Sequence, residues 1–473
     1  MFHAPPTRMP LCACGSRCAC RPLQNVARAG YATAIFGKTD WTTGAHSASV
    51  YLSAWTMAVR FPYDVADGGW HDETDDCHTS GAVDASRARE RHADWADVNA
   101  STAWVRGASA GGAARAPWFA YQGMTIVHPP YATNAYWLER VDAGAVRAPA
   151  WAALEDLHPC DLQSSMLKGC LPQPDEGVAP AFFYSRARRR RVRRIYAAMI
   201  AEFDAMVGAH LANLDALGLA RSAVVIVTSD HGDMQMEHQQ HYKMVPYDAS
   251  SRVPLIIAAP GVAAAPRVVD APAQLIDLFP TILELAGVAN NASLAARLAL
   301  DGHSLAPLLA RADGVDDARP DYVTSQFHGD NIAMSWFLVR RGDLKYVAWG
   351  DGTNAAAAPP MLFDLRADPD ENTNLAADPA FAAEVAALDA ALRTEIDYPR
   401  VAREVALYNW EQMHGWINRT GANWTAAIRD PSLRWSASWE KDPDGAMAAL
   451  EAWLAQPPAP VACRGDLVFP RPS

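Results

Sequence analysis

Residues 224–243 read V-V-I-V-T-S-D-H-G-D-M-Q-M-E-H-Q-Q-H-Y-K. The β-branched run Val224 to Thr228 has the length and composition of a strand buried on both faces of a parallel sheet. It ends in Ser229-Asp230-His231-Gly232. Open α/β sheets bind ligands beyond the carboxyl ends of their strands. A carboxylate and an imidazole in succession there, followed by a glycine that permits a sharp turn, make a candidate metal-ligand pair. A lone D-H-G is more often an ordinary polar turn. The further Glu237, His238, His241 and Lys243 within the same loop shift the balance toward chemistry.

The chain has 473 residues, half of them hydrophobic, enough for one large domain with an appendage or for two domains. A net charge of −12 argues against bulk nucleic-acid binding. No apolar run approaches the ~20 residues of a membrane span, and Met1 to Arg21 lacks the apolar core of a secretory signal. Cys12, Cys14, Cys18 and Cys20 crowd the start with a spacing unlike the paired C-x2-C of zinc sites, and are read as incidental. Cys160 and Cys170 would close a short disulfide loop in a secreted chain. The sequons at Asn99, Asn291, Asn418 and Asn423 fit an exported protein whose signal lies outside this sequence.

Strands are expected at 32–36, 118–122, 224–228 and 253–258. Helices are expected over Val192 to Leu217, with Ile195, Met199, Phe203, Met206 and Val207 on one face, and over Leu275 to Ala286. Strands alternating with helices imply a mainly parallel sheet flanked by helices. The seven arginines between Arg186 and Arg194 are read as a solvated helix face, with a polyanion patch as the alternative. After about residue 300 the pattern changes. Trp336–Arg340 and Lys345–Trp349 read as strands joined by a turn at Arg341-Gly342-Asp343, with Met361–Leu365 as a third strand. Residues Glu371 to Ile396 read as helix, and the tryptophan-rich tail from Tyr408 to Leu454 is expected to pack back on the body.

Several segments occur in an order that identifies a family. They are Gly30-Tyr31-Ala32-Thr33 with Phe36-Gly37-Lys38-Thr39-Asp40, Gly44-Ala45-His46-Ser47, His128-Pro129, Tyr136-Trp137-Leu138-Glu139 and His158-Pro159. The S-D-H-G block with Tyr242-Lys243-Met244 follows, then Asp277-Leu278-Phe279-Pro280-Thr281, Phe327-His328-Gly329, Leu344-Lys345-Tyr346 and Asp368-Pro369-Asp370-Glu371. Together they span most of the chain and resemble the sulfatases of the alkaline-phosphatase-like superfamily, within them the subgroup acting on 2-sulfated glucuronate. The resemblance implies an α/β fold over 23–300, with a mostly parallel sheet flanked by helices. It also implies a smaller C-terminal antiparallel sheet and helical tail over 301–473, with residues 1–22 non-homologous.

Sulfatases hydrolyse sulfate esters with a formylglycine made from a C-x-P-x-R cysteine by the formylglycine-generating enzyme. They use a divalent cation, usually Ca²⁺, with Mg²⁺ as the alternative. By this resemblance Asp230 and His231 lie on the metal, and His231 alternatively holds the sulfate. Lys38 binds the formylglycine hydroxyl and a sulfate oxygen. Lys243 meets the sulfate near the leaving oxygen, and His128 is the general acid. His158, His46 and His328 contact substrate, a sulfated glycan or small sulfate ester. The implied location is lysosomal or secreted. Asp40 stands where most of the family has His, a change the glucuronate subgroup shares.

The C-x-P-x-R motif itself is not found. Cys20-Arg21-Pro22-Leu23-Gln24 lacks the final Arg and falls too close to Gly37. The expectation is that residues 1–22 replace the family's first strand and nucleophile, so that the chain as written is inactive and unstable. Two alternatives are a non-catalytic sulfatase-like protein that binds sulfated sugar, and a phosphodiesterase of the same superfamily using Thr or Ser.

Overall fold

The structure is a computed structural model. It describes residues 26–27, 29–38, 89–110, 116–128, 131–153, 156–162, 186–263, 266–288, 301–316, 318–328, 334–352, 358–427 and 443–455, apart from the side chains at 188, 409, 412, 427, 443, 446 and 449. Strands β1 (Ala32–Gly37) and β2 (Trp118–Gly123) pair in parallel, from Ala32 opposite Trp118 to Gly37 opposite Gly123. Parallel neighbours need a crossover. Helix α1 (His92–Ser109) lies between them in sequence and packs on both. Its Trp104 sets its ring edge-on to Phe36 and Trp118, with centroids 6.2 and 6.5 Å apart. The buried Asp94 of α1 accepts the Thr125 and Ile126 amides at 2.7 and 3.0 Å and so fixes the exit of β2.

Helix α2 runs from Arg186 to Ala216. It starts six residues before the expected Val192, because the arginines are good helix formers and find acceptors in the segment packed alongside. Val192, Ile195, Met199 and Met206 form its buried face, against Trp95, Val98 and Tyr131. Each such side chain contributes about 2 kcal/mol by leaving water. Residues Arg189–Ala216 are long and apolar enough to cross a membrane by length and composition, contrary to the expectation that no segment is. Here that helix packs in the core. Its Glu202 is fully buried and takes the Trp95 indole N–H at 2.9 Å and the Glu90 and Arg91 amides at 2.7 and 3.0 Å.

Strands β3 (Val225–Thr228) and β4 (Leu255–Ala258) pair antiparallel, Val225 opposite Ala258 and Thr228 opposite Leu255. The sequence reading placed both in a mainly parallel sheet. The connection between them is a loop with one short turn of helix at Asp248–Ser251, not a crossover helix, so the chain returns along its own direction. Helix α3 (Leu278–Leu285) is entered through a 3-10 turn. The fully buried Asp277 accepts the Gln274 and His303 amides at 3.0 and 2.8 Å and pairs with Arg319 at 2.7 Å.

Strands β5 (Tyr322–Phe327), β6 (Trp336–Arg341), β7 (Leu344–Trp349) and β8 (Met361–Asp364) form one antiparallel sheet in that order. Gly342, at φ +58, helps turn β6 into β7. β5 was not expected as a strand. Alternate side chains face opposite sides, and both sides are covered. Phe337, Val339, Tyr346 and Leu362 pack against helices α4 (Ala382–Glu395) and α5 (Tyr398–Thr420). Trp336, Leu338, Val347, Trp349 and Phe363 pack against Met234, Tyr242, Met244 and Tyr247 of the β3–β4 loop. Helix α4 begins at 382 rather than 371. Pro379 disfavours helix at Asp378, whose side chain instead caps the Ala380 amide at 2.9 Å. The tail was expected to pack on the body; its described core is instead internal, with Met413 and Trp416 of α5 packed against Met447 and Leu450 of helix α6 (Pro443–Leu454).

Candidate active site

Two strand ends and one loop build the site. β1 and β2 finish side by side at Gly37 and Gly123. A Cβ on Gly37, at φ +76, would come within 1.9 Å of the Gly123 oxygen. This close approach lets the Lys38 amide donate to Gly123 O at 2.8 Å, so Lys38 sits just past the end of the strand pair. From β3 the chain enters the loop 229–254. Gly232 lies against the returning chain, its amide donating to Ser250 O at 2.7 Å. Met234 N donates to Tyr242 O at 2.7 Å, folding the loop back on itself. Gln235, Met236, His238, Gln239 and Tyr242 all have positive φ, a conformation costly for residues with side chains and maintained only where the surroundings over-determine it.

Those surroundings are extensive. Tyr131 donates to Asp233 at 2.7 Å, Trp151 to Met236 O at 2.6 Å and Gln239 to Ala152 O at 3.0 Å. Arg193 pairs with Glu237 at 2.8 Å. The buried Asp161 accepts Gln240 at 3.0 Å and the Tyr247 hydroxyl. Trp336 donates to Met244 O at 3.0 Å. Lys345, 1% exposed, holds Asp248 at 2.8 Å and Glu371, while the Asp248 amide donates to Glu371 at 2.6 Å.

The loop presents Asp230, His231 and Lys243. His231 Nδ1–H donates to Gly232 O at 2.8 Å, which leaves Nε2 with its lone pair free to bind. That nitrogen lies 3.5 Å from Asp230 Oδ2. Burial lowers the His231 pKa, and Lys243 and Lys38 lower it further while Asp230 opposes them. Both lysines thus bear on one imidazole, although one follows β1 and the other lies midway along the loop after β3. His128 lies on the Lys243 side. Its ring is edge-on to Tyr242 at 6.3 Å, and Lys243 Nζ is 6.0 Å from the centre of the same Tyr242 ring.

An imidazole nitrogen with its lone pair outward and a carboxylate oxygen 3.5 Å apart suit a shared cation. Two donors about 2.2 Å from one ion and at about a right angle stand a little over 3 Å apart. A ligating His typically donates its other N–H to a carbonyl, as His231 does. The pair supplies only part of a coordination shell; among the described residues no group of three His, Cys, Asp or Glu is gathered.

The remaining expected contacts are engaged elsewhere or lie outside the described residues. His158 accepts the Cys160 amide at Nδ1 (3.2 Å), donates from Nε2 to Pro359 O (2.8 Å) and stacks on Trp349 at 5.0 Å. Both of its ring nitrogens are used inside the protein, so contact with substrate would require one of these bonds to break. His328 bonds Gln326 at 3.0 Å and packs on Phe337 at 5.2 Å. His46 is outside the described residues. Tyr242, whose ring is near both His128 and Lys243, and the buried Lys345, Asp248 and Glu371 were not singled out for the site from sequence. Tyr242, Lys345 and Glu371 had appeared only as positions within matched segments, with no role attached.

Comparison with known proteins gives the family. The sulfatase family model matches residues 24–288, and that of the N-sulphoglucosamine sulphohydrolase C-terminal region matches 236–397. Mouse (Mus musculus) arylsulfatase K is 35% identical over 453 residues, covering 92% of this chain and 75% of that protein. The phosphonate monoester hydrolase of Agrobacterium radiobacter superposes with a TM-score of 0.52 at 23% identity, over 78% of this chain and 79% of its own. A 2-O GAG sulfatase superposes at 0.51 with 20% identity, over 80% and 74%. These two structural likenesses speak to the alkaline-phosphatase-like fold, whereas the family match and the arylsulfatase K identity, each reaching more than half of the sequence, carry the assignment: the chain belongs to the sulfatase family of sulfuric ester hydrolases.

Proposed function

We propose that this protein removes the sulfate ester at position 2 of a uronic acid in a sulfated glycan. What supports this reading is that Lys38, just past β1, and Lys243, in the loop after β3, both bear electrostatically on His231. A sulfate monoester spreads one negative charge over its terminal oxygens and develops more on the leaving oxygen as the S–O bond breaks. Two fixed cations meet that charge without reorganising, and one such preorganised group contributes on the order of 3 kcal/mol. Lys243 neutralises the leaving side, and His128, across Tyr242 from it, delivers the proton to the departing hydroxyl. Lys38 holds a sulfate oxygen beside the nucleophile.

Asp230 and His231 would hold part of the shell of a Ca²⁺ or Mg²⁺ ion, which would neutralise sulfate oxygens, and a formylglycine of the family's kind, whose C-x-P-x-R cysteine is not found in this sequence, would supply the attacking oxygen. The choice of a 2-sulfated uronate follows the likeness to arylsulfatase K and the shared Asp40. A lysosomal or secreted location is supported by the disulfide at Cys160, a bond favoured in oxidising compartments, and by the exposure of Asn99, Asn418 and Asn423 in their sequons.

The test is to co-express the protein with the formylglycine-generating enzyme and measure sulfate release from a 2-sulfated glucuronate disaccharide beside a 6-sulfated glucosamine one. Release is expected only from a form that carries a C-x-P-x-R cysteine, with preference for the first substrate and with Lys243→Ala lowering kcat/KM at least 100-fold. Unchanged kcat/KM would remove Lys243 from the reaction. Tight binding of the disaccharide without release would favour a sulfated-sugar binding protein. Release abolished by Cys20→Ala would assign the nucleophile to Cys20, against the reading that Gln24 disqualifies it.

A further inference from the structure

The arginine run at the start of α2 has no part in the reaction above. Arginines there face the positive end of the helix dipole, an unfavourable position for cations, and no acid occupies the first turn. The structure accounts for several of them. Arg189 donates to Pro149 O at 2.7 Å, Arg190 to Val146 O at 3.1 Å and to Ala143 O, and Arg194 to Leu138 O at 3.1 Å. Carbonyl acceptors orient a guanidinium but do not cancel its charge. Arg193 instead pairs with the Glu237 carboxylate.

The first turn of α2 and the strip 144–148 enclose a pocket of about 490 Å³ whose wall carries Arg147, Arg186 and Arg190, with Val146 and Ala187 as apolar surface. No acid lines it. Arg147 and Arg186 make no hydrogen bond or ion pair with any described residue. Burial, and then the nearby Arg186 charge, lower the Arg189 pKa, so like charges crowd here without compensation.

We propose that this pocket binds sulfate or carboxylate groups of a glycan chain at a distance from the ester being cleaved. The inference rests on the reading of the protein as a glycan sulfatase and adds a second contact to it. Arginine forks grip sulfate and carboxylate oxygens in pairs, and Arg190, already fixed by two carbonyls, loses little freedom on binding. The pocket also adjoins the active-site loop. Trp151, three residues beyond the pocket wall, donates to Met236 O. Arg193, about 10 Å along the helix from Arg186, holds Glu237. A glycan held here would be tethered beside the loop that carries Lys243. A merely solvated helix face would have no effect on ligand binding.

The experiment compares the full chain with Arg147→Ala/Arg186→Ala by calorimetric titration with a highly sulfated hexasaccharide, using a thermal melt to check that both fold. The inference expects at least tenfold weaker binding by the double variant and a shallower dependence on salt. Arg186→Glu is expected to weaken binding further. Equal affinity of variant and parent, or no binding by the parent, would overturn the proposal. So would equal affinity of the parent for a single-stranded DNA of matched charge, which would make the patch a general polyanion surface. Binding needs no turnover. Absence of disaccharide hydrolysis would therefore count against the active-site reading alone, and hexasaccharide affinity lost in the double variant would still support the pocket.

Discussion

At the scale of single residues, Gly232 shows how little slack the site has. A Cβ there would meet the Ala249 carbonyl oxygen at 2.1 Å and its carbon at 3.0 Å. The obstruction is backbone, which cannot swing aside as a side chain would. Gly232→Ala is expected to cost about 2 kcal/mol or more, read as a lower urea midpoint, and to lower sulfate release by moving Lys243. His328 gives a pH dependence. Burial lowers its pKa to about 4, whereas the unfolded chain takes up that proton near the ordinary value of about 6.5. The folded state is thus undiminished above pH 6.5 and loses stability as pH falls from 6.5 toward 4, by about 2–3 kcal/mol at the lower end. The melting temperature of His328→Gln should fall less over that interval than that of the parent. An equal fall in both would place the acid sensitivity elsewhere. Asp230, His231 and Lys243 were legible as site candidates because they follow one β-branched run within a single loop. The engagement of His158 was not, since its partners Pro359 and Trp349 come from far along the chain.

Among elements, the loop between β3 and β4 depends on a charged cluster that belongs to neither strand. Lys345 of β7 sits 1% exposed between Asp248 and Glu371. Burial raises the Glu371 pKa, and Lys345 opposes that shift. Removing Lys345 leaves Glu371 buried without its counter-charge, although Asp248 keeps Arg340 at 3.5 Å and Arg252 at 3.8 Å, at a cost of about 3–5 kcal/mol. Lys345→Met should unfold at markedly lower urea, and Lys345→Met/Glu371→Gln should recover part of the loss. A double variant no more stable than the single would mean that the cluster is not coupled. The sequence marked Lys345 and Glu371 as matched positions but could not pair them, because they lie on separate segments brought together only by the sheet. Strand direction was hidden for a related reason. The run L-I-I-A of β4 reads the same whether its neighbour is parallel or antiparallel, and the loop that decides it has no periodicity to read. β5 escaped notice because Y-V-T-S-Q-F carries too few apolar residues to announce a strand.

Over the whole molecule, the C-terminal sheet is a slab covered on one face by the active-site loop and on the other by α4 and α5. The boundary proposed near residue 300 is thus one of sequence pattern, while the apolar packing runs across it: Met234 and Tyr247 share a cluster with Trp336 and Phe363. Leu392 of α4, fully buried on the far side of the slab, is expected to cost about 2–5 kcal/mol as Leu392→Ala. Activity of that variant should be lost on heating in step with its unfolding, while KM at low temperature stays that of the parent. A changed KM at low temperature would show the slab to be deformable rather than rigid. Buttressing of this kind has a genetic consequence. Inherited variants that abolish function need not lie near Lys38 or Lys243. Many should fall along β6, β7 and α4, where a loss of 1–2 kcal/mol lowers the amount of protein that survives quality control. Such alleles would be temperature-sensitive and rescued by a small molecule that binds only the folded form, whereas alleles at the two lysines would leave abundant protein that nothing of that kind could restore.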